Sequence, residues 1–343
     1  MFTPTCLTPG ESGDLGVDFD VNLKVMCWNV CGWSNLDGGQ LGRGVDHTDI
    51  RSLVLNHYKP DVIGVVESWL RGDKEASFEG YKWFGNNRKS VHKRAVRGSG
   101  GVGVLVREAL LRYWSCELLD CDVEDVLWVK LSNVASGVDM VLAVCYIPPI
   151  SSGREVCLEE RRQCLSEQVS KYASLGTVLL CGDFNARCGC VEEVEGLGDR
   201  QSEDQVINEQ GRALLDFTRS LGLCVANGRA GSGDFICISS KGCSVVDYCL
   251  LFKDDLGVVS NFKVVTMTEF VDAFHADCIV ERIPDHSALV WDLVLDGDVG
   301  CSGGEPEDTP GECFGNEFRY VVPDDYLCDR KRDIESIVDN LRS

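Results

Sequence analysis

Long apolar runs are missing from this chain. No stretch approaches the roughly 18 residues that a membrane span needs, so a membrane protein is not expected. The first twenty residues hold Glu11, Asp14, Asp18 and Asp20 but no Lys or Arg and no apolar segment of secretory type. An intracellular setting follows as an expectation. Cys-x-x-Cys pairs are missing as well, although the chain carries 19 cysteines. An odd number in a long chain without a signal segment predicts reduced thiols rather than a disulfide scaffold. Cys188-Gly-Cys190 with Cys27 and Cys31 lacks zinc-ligand spacing, so no structural zinc is expected. Cys145, Cys181 and Cys249 lie inside apolar runs, where cysteine acts as a small hydrophobe. No internal repeat is evident.

Positive charge is scarce. The net charge is -22, which opposes nonspecific binding of a polyanion. Acid gathers in Glu117 to Asp125, in Val191 to Asp204 and after Asp296, whereas Lys82 to Arg107 carries Lys82, Arg88, Lys89, Lys93, Arg94, Arg97 and Arg107 without a single acid. A local basic face on an acidic body is the expectation.

The chain does have enough apolar residues, 44% of 343, for a substantial core. Its pattern alternates short apolar strands with amphipathic helices. Strands are predicted at Val21 to Asn29, Asp61 to Val66, Val102 to Val106, Asp125 to Leu131, Val138 to Tyr146, Thr177 to Cys181 and up to Leu295, with a short strand and turn at Leu223 to Arg229. Phe235 to Ile238 and Ser244 to Leu251 are expected to pair. Helices are predicted at Asp46 to Tyr58, Glu155 to Tyr172 and Asn208 to Leu221, the last stopped by Gly222. Cys188 to Val206 reads as a long acidic loop. The expected division is an acidic N-terminus at 1–20, one α/β domain at 21–295, and an acidic tail at 296–343 with one helix at Ile334 to Leu341.

Leu179 to Arg187, Leu-Leu-Cys-Gly-Asp-Phe-Asn-Ala-Arg, is where an apolar strand stops on polar residues. Asp183 and Asn185 are two apart, either converging on one ligand or closing an Asx turn. Other polar residues share this placement at strand ends or interruptions: Asn29, Glu67, Asp247, Asp285 and His286. Taken singly each has a bland reading; Asp247 alone would be a solvent-facing strand residue and His286 a structural histidine. Together they are a set of oxygen donors suited to Mg²⁺ or Mn²⁺, the usual companions of a phosphate substrate. A Ser or Cys nucleophile with a paired base is missing, which leaves activated water as the attacking group.

With Trp-Asn at 28–29, Glu67, Gly-Asp-Phe-Asn at 182–185 and Asp-His at 285–286 in this order, the chain resembles the endonuclease/exonuclease/phosphatase family. Gly98 to Val104, Tyr146-Ile147-Pro148-Pro149, Asn227-Gly228-Arg229 and Ser244 to Tyr248 make it most similar to endonuclease domains of non-LTR (LINE-type) retrotransposons. The resemblance implies a four-layered, DNase I-like α/β sandwich, a DNA substrate, a nuclear setting and a reverse transcriptase in a parent protein. It implies a metal held by Glu67 with Asn29, His286 oriented by Asp247 beside Asp285, Asp183 on the water, and Asn185 and Tyr146 on the transition state. It departs from the family pattern at Cys31, where apurinic-site relatives carry a metal-associated Asp, and at Ile236, where some retrotransposon relatives have a Thr.

On this reading Arg88, Lys89, Lys93, Arg94 and Arg97 either contact DNA phosphates or form an ordinary solvated loop. The leading expectation is a Mg²⁺-dependent DNA-nicking endonuclease. A phosphomonoesterase for a small phosphorylated substrate and an inactive interaction module are the alternatives.

Overall fold

Among the described residues, twelve strands form two stacked six-stranded sheets, four helices cover their outer sides, and two further strands form a separate hairpin. In chain order they are β1 (Val21–Asn29), α1 (Ile50–Tyr58), β2 (Val62–Val66), β3 (Tyr81–Asn86), β4 (Val102–Arg107), β5 (Trp114–Asp120), β6 (Val126–Asn133), β7 (Asp139–Tyr146), α2 (Leu158–Tyr172), β8 (Thr177–Asp183), α3 (Glu209–Leu221), β9 (Leu223–Val225), β10 (Cys237–Ser239), β11 (Gly242–Ser244), β12 (Asp247–Phe252), β13 (Val259–Val265), α4 (Met267–Phe274) and β14 (Ala288–Leu295). This is a computed structural model that describes residues 21–33, 50–89, 99–150, 158–274 and 283–295. The expected N-terminal and C-terminal segments, the starts of the first two predicted helices, and Lys93, Arg94 and Arg97 lie outside the described residues.

The first sheet has the order β13-β14-β1-β2-β4-β3 and the second β5-β6-β7-β8-β12-β9. Alternation along the strands decides which face meets which layer. In β1, Leu23, Val25 and Cys27 face the second sheet, while Met26 and Trp28 pack under Ile50, Val54 and Leu55 of α1 and Met267 and Phe270 of α4. On the far side, Leu165, Val169 and Tyr172 of α2 and Leu214, Leu215 and Phe217 of α3 cover the second sheet. The fold is therefore the four-layered, DNase I-like sandwich.

Two parallel pairs set the functional edge. β1 runs parallel to β2 with Asn29 opposite Val66, and β7 runs parallel to β8 with Tyr146 opposite Asp183. Both pairs consequently end their polar residues on one rim. β12 runs antiparallel to β8 and brings Asp247 opposite Asp183.

The structure corrects several expectations. Asp247 does not interrupt a strand: it begins β12 and is buried, because the preceding Ser244 belongs to a separate β10–β11 hairpin. The expected pairing of Phe235 to Ile238 with Ser244 to Leu251 is thus met only at Ser244, which faces Cys237; the rest of β10 pairs within the hairpin. Strands β3, β5 and β13 and helix α4 were not expected at all, since their burial alternates imperfectly; β5 buries only Trp114 fully. The predicted acidic loop after Cys188 is a loop, but two of its acids are interior. Glu193 meets Arg229 at 2.6 Å and lies 3.0 Å from Arg200, close as charges though not aligned as a hydrogen bond, and Asp204 takes Arg187 at 2.6–2.7 Å. Among the described residues no helix is long and apolar enough to cross a membrane, and the cysteines there are free.

Gly182 shows how the backbone serves the rim. It has φ +145°, and a Cβ there would overlap the Cys145 carbonyl of neighbouring β7. Replacing Gly182 with Ala should destabilise the fold by about 3 kcal/mol, the order expected of backbone strain plus a core overlap. Urea unfolding of Gly182→Ala beside wild type measures this, and an unchanged midpoint would contradict it.

Candidate active site

Asp183 ends β8 and is almost fully buried, 2% exposed. Its two oxygens have different partners. Oδ1 accepts the Asn185 N–H at 2.9 Å, so the Asx turn does form; Oδ2 accepts Asn29 Nδ2 at 3.0 Å from the other sheet. Asn185, at φ +49°, is turned by this bond so that its own Nδ2 donates to the Ile147 carbonyl at 3.0 Å. The Asx turn of Asp-x-Asn is therefore formed, and it aims the Asn185 amide at Ile147.

His286 sits just before β14, where the Trp28 indole donates to its carbonyl at 3.0 Å and ties it to β1. Its Nδ1 lies 2.8 Å from Asp247 Oδ2 and its Nε2 4.0 Å from Asp183 Oδ2. The ring is thus sandwiched between two buried carboxylates. Asn227 holds Asp247 in place: its amide donates to the Asp247 carbonyl and accepts the Cys249 N–H, both at 3.0 Å. The segment Ile236–Ile238 brackets the histidine through Ser287 N–H to Ile236 O and Ile238 N–H to Asp285 O.

Glu67 follows β2 with φ +53° and is half-buried at the mouth of the rim. Trp69 donates its indole N–H to Glu67 Oε2 at 2.8 Å, and the Glu67 charge also acts on the nearby Tyr146 hydroxyl. Trp69 packs where Gly32 has no side chain; a Cβ at Gly32 would overlap the indole. Asn29 Oδ1 takes the Cys31 N–H at 3.1 Å, and the Cys31 thiol lies 3.1 Å from Asp285 Oδ1.

The charges are tightly interdependent. Burial, then the neighbouring Asp247, push the Asp183 carboxyl up to about 8, against a downward pull from His286. Burial works to lower the His286 pKa, but Asp247 and then Asp183 outweigh it and hold the ring protonated well above its usual range. Burial and the adjacent Glu67 raise Tyr146 above the ordinary tyrosine range. Burial and Asp285 do the same to Cys31. Three carboxylates facing one imidazolium leave the rim net negative, and its donors are mostly hard oxygens, a set that fits a divalent cation. Asp183, Asp247 and His286 place one donor atom each within 4.8 Å of the others. The His286–Asp247 bond already engages two of those atoms.

The structure thus brings together Asn29, Glu67, Tyr146, Asp183, Asn185, Asp247, Asp285 and His286. Arg88 is a correction: it is 2% exposed and locked to Asp125, so it contacts no phosphate. Lys89 is exposed. Supporting residues that sequence reasoning missed are Trp69, Asn227, Asp125 and Cys237, whose backbone forms an antiparallel bridge to His286. Only Asn227 left a signal, in its Asn-Gly-Arg turn.

A rim of oxygen donors and one imidazole on two packed sheets suits the hydrolysis of phosphate esters. The profile of the Endonuclease/Exonuclease/phosphatase family matches residues 28–266, and the chain belongs to that family. Solved structures agree on the fold. The endonuclease domain of TRAS1, a telomere-specific non-LTR retrotransposon, aligns over 80% of this chain and 98% of its own at 16% identity and TM-score 0.51. The AP endonuclease LMAP from Leishmania major aligns over 80% and 88% at 15% identity and TM-score 0.55. The 3′ phosphatase NExo from Neisseria, bound to a product DNA hairpin, aligns over 79% and 99% at 16% identity and TM-score 0.50. No curated protein matches the sequence significantly.

The raised Asp183 pKa predicts a stability profile. A carboxyl protonated in the fold up to about pH 8 but ionised above about 3.8 when unfolded contributes stability at low pH that is lost as pH rises through 8. In chelator, Asp183→Asn should therefore gain melting temperature relative to wild type between pH 5 and 8.5. Parallel profiles for the two proteins would show that the carboxyl is not held neutral.

Proposed function

We propose that the protein is a Mg²⁺-dependent endonuclease that nicks DNA by water attack on a phosphodiester, leaving a 3′-hydroxyl and a 5′-phosphate. The observation that carries this reading is the buried carboxyl group of Asp183, held by Asn29 from one sheet and facing His286–Asp247 on the other side. The Cys31 thiol beside Asp285 is held in its neutral form by burial and that carboxylate, which leaves water as the attacking group. Glu67 with Asn29 would hold the metal, which when bound neutralises phosphate charge and favours the ionised form of water.

The chain's own residues do the rest. Asp183 in its ionised form accepts the proton of the attacking water, and its raised pKa makes it a stronger base than an exposed carboxylate. His286, kept protonated by Asp247, donates to a phosphoryl oxygen and gathers charge in the transition state. Asn185 spends one amide proton on Ile147 and has a second for the same oxygens. Tyr146, held neutral, donates to developing negative charge. Asp285 lies at the rim beside His286 and orients the Cys31 side. Lys89, together with Lys93, Arg94 and Arg97, contributes backbone contact to DNA.

A specific observation favours a second reading. At -22 the body repels a DNA polyanion, so a phosphomonoesterase for a small phosphorylated substrate suits the field better. Supercoiled plasmid with Mg²⁺ separates the two. Nicking supports the endonuclease; intact plasmid together with hydrolysis of a soluble phosphate ester overturns it. On the plasmid, Asp183→Ala and His286→Ala should each slow the rate by about 10²–10⁴-fold, the usual worth of a positioned acid or base. Wild-type rates in either variant would remove that residue from the chemistry. Glu67→Gln should raise the Mg²⁺ concentration for half-maximal rate, and an unchanged metal curve would contradict its role as ligand.

A further inference from the structure

Arg88 and Asp125 form an ion pair whose side chains are 1% and 0% exposed, at the junction of the two sheets. Arg88 Nε donates to both Asp125 oxygens, at 2.8 and 2.9 Å, and Nη2 also reaches Oδ2. Such a pair adds little net stability, because taking both charges out of water costs about what their attraction returns. Its surroundings give it another use.

Two routes lead from this pair to the rim. The guanidinium lies 5.5 Å from the centre of the Tyr146 ring, and the Tyr146 N–H donates to the Asp125 carbonyl at 2.9 Å. On the other route, Asp125 Oδ1 accepts the Gly101 N–H at 2.7 Å and Arg88 Nη1 donates to Ser99 Oγ at 3.2 Å. Gly100 lies against the guanidinium, where a Cβ would overlap it. Gly100 and Gly101 then pass the constraint on, their carbonyls accepting the N–H groups of Trp69 at 2.9 Å and Ser68 at 3.0 Å. Trp69 in turn bonds Glu67, so one route ends on Tyr146 and the other on Glu67. A lysine cannot reproduce them, since an ammonium lacks both the planar fork and the stacking face.

We propose that Arg88, through Asp125, is a positioning residue that fixes the Glu67 carboxylate and the Tyr146 hydroxyl relative to one another. This rests on the reading in which Glu67 binds the metal and Tyr146 serves turnover. It also gives the basic residue nearest β3 a role that its place in an acid-free stretch hides.

The test compares Arg88→Lys, Tyr146→Phe and the double variant with wild type in the full chain. Mg²⁺ binding is read by calorimetry, kcat and KM by plasmid nicking, and folding by urea unfolding. Arg88→Lys should weaken Mg²⁺ binding and lower kcat by about 10–100-fold each, as loss of an outer partner of a metal ligand does, with KM for DNA unchanged. In the Tyr146→Phe background its effect on kcat should shrink to about 2-fold, the non-additivity of residues acting through one another. Unchanged Mg²⁺ binding, a rise in KM with kcat intact, or effects that multiply would each overturn the proposal. If wild type fails to nick DNA yet binds Mg²⁺ in a manner weakened by Arg88→Lys and Glu67→Gln, the positioning role stands and the nuclease reading falls. Should Arg88→Lys not fold, Asp125→Asn, which keeps an acceptor but loses the charge, is expected to show the same pattern, and wild-type metal binding and kcat in it would overturn the proposal.

Discussion

The hydrogen bond from Asn29 to Asp183 is the interaction on which the rim depends. It joins the end of β1 in one sheet to the end of β8 in the other, inside the protein, where neither partner has water as an alternative. A buried bond to an ionisable acceptor is worth on the order of 1.5–3 kcal/mol, and leaving either partner unmet would cost at least as much. The stacking of the sheets and the chemistry of the site are therefore coupled. Any shift that separated the sheets at this edge would expose Asp183 and release the field that sets its proton affinity.

Around that bond, charge is managed by burial rather than by surface pairing. Asp183, Asp247 and His286 are buried together, and each shifts the others. Farther out, Arg88–Asp125 ties down the loop after β3, and Arg187–Asp204 with Arg200 and Arg229 on Glu193 tie down the long loop after β8. Tyr248 completes that brace by donating its hydroxyl toward the carbonyls of Ala186 and Val245. Loops would be the softest parts of a sandwich; here the ones flanking the site are anchored by interior ion pairs, which favour one arrangement even where they add little stability.

Most of the strands and the two well-patterned helices α2 and α3 were legible, because continuous apolar runs and a helix stop such as Gly222 are local signals. β3, β5 and β13 were not, since edge strands bury few residues and blur the alternation. The hairpin β10–β11 was misread for a related reason: it pairs with itself, outside both main sheets. Arg88 was read as a surface cation because a run of basic residues carries no mark of which side chain turns inward.

The sequence by itself determined the family, the layered class and the order of Asn29, Glu67, Tyr146, Asp183, Asn185, Asp247, Asp285 and His286, since strand ends and their polar terminators are encoded over a few neighbouring residues. Only the tertiary structure decided that Asp247 is interior, that Arg88 faces Asp125, and that Trp69, Asn227 and Cys237 support the site. These depend on contacts between residues far apart in sequence, such as the 37 positions between Arg88 and Asp125 or the 154 between Asn29 and Asp183. Burial and electrostatic neighbours at such separations come from how the sheets pack, and no local pattern of residue types carries them.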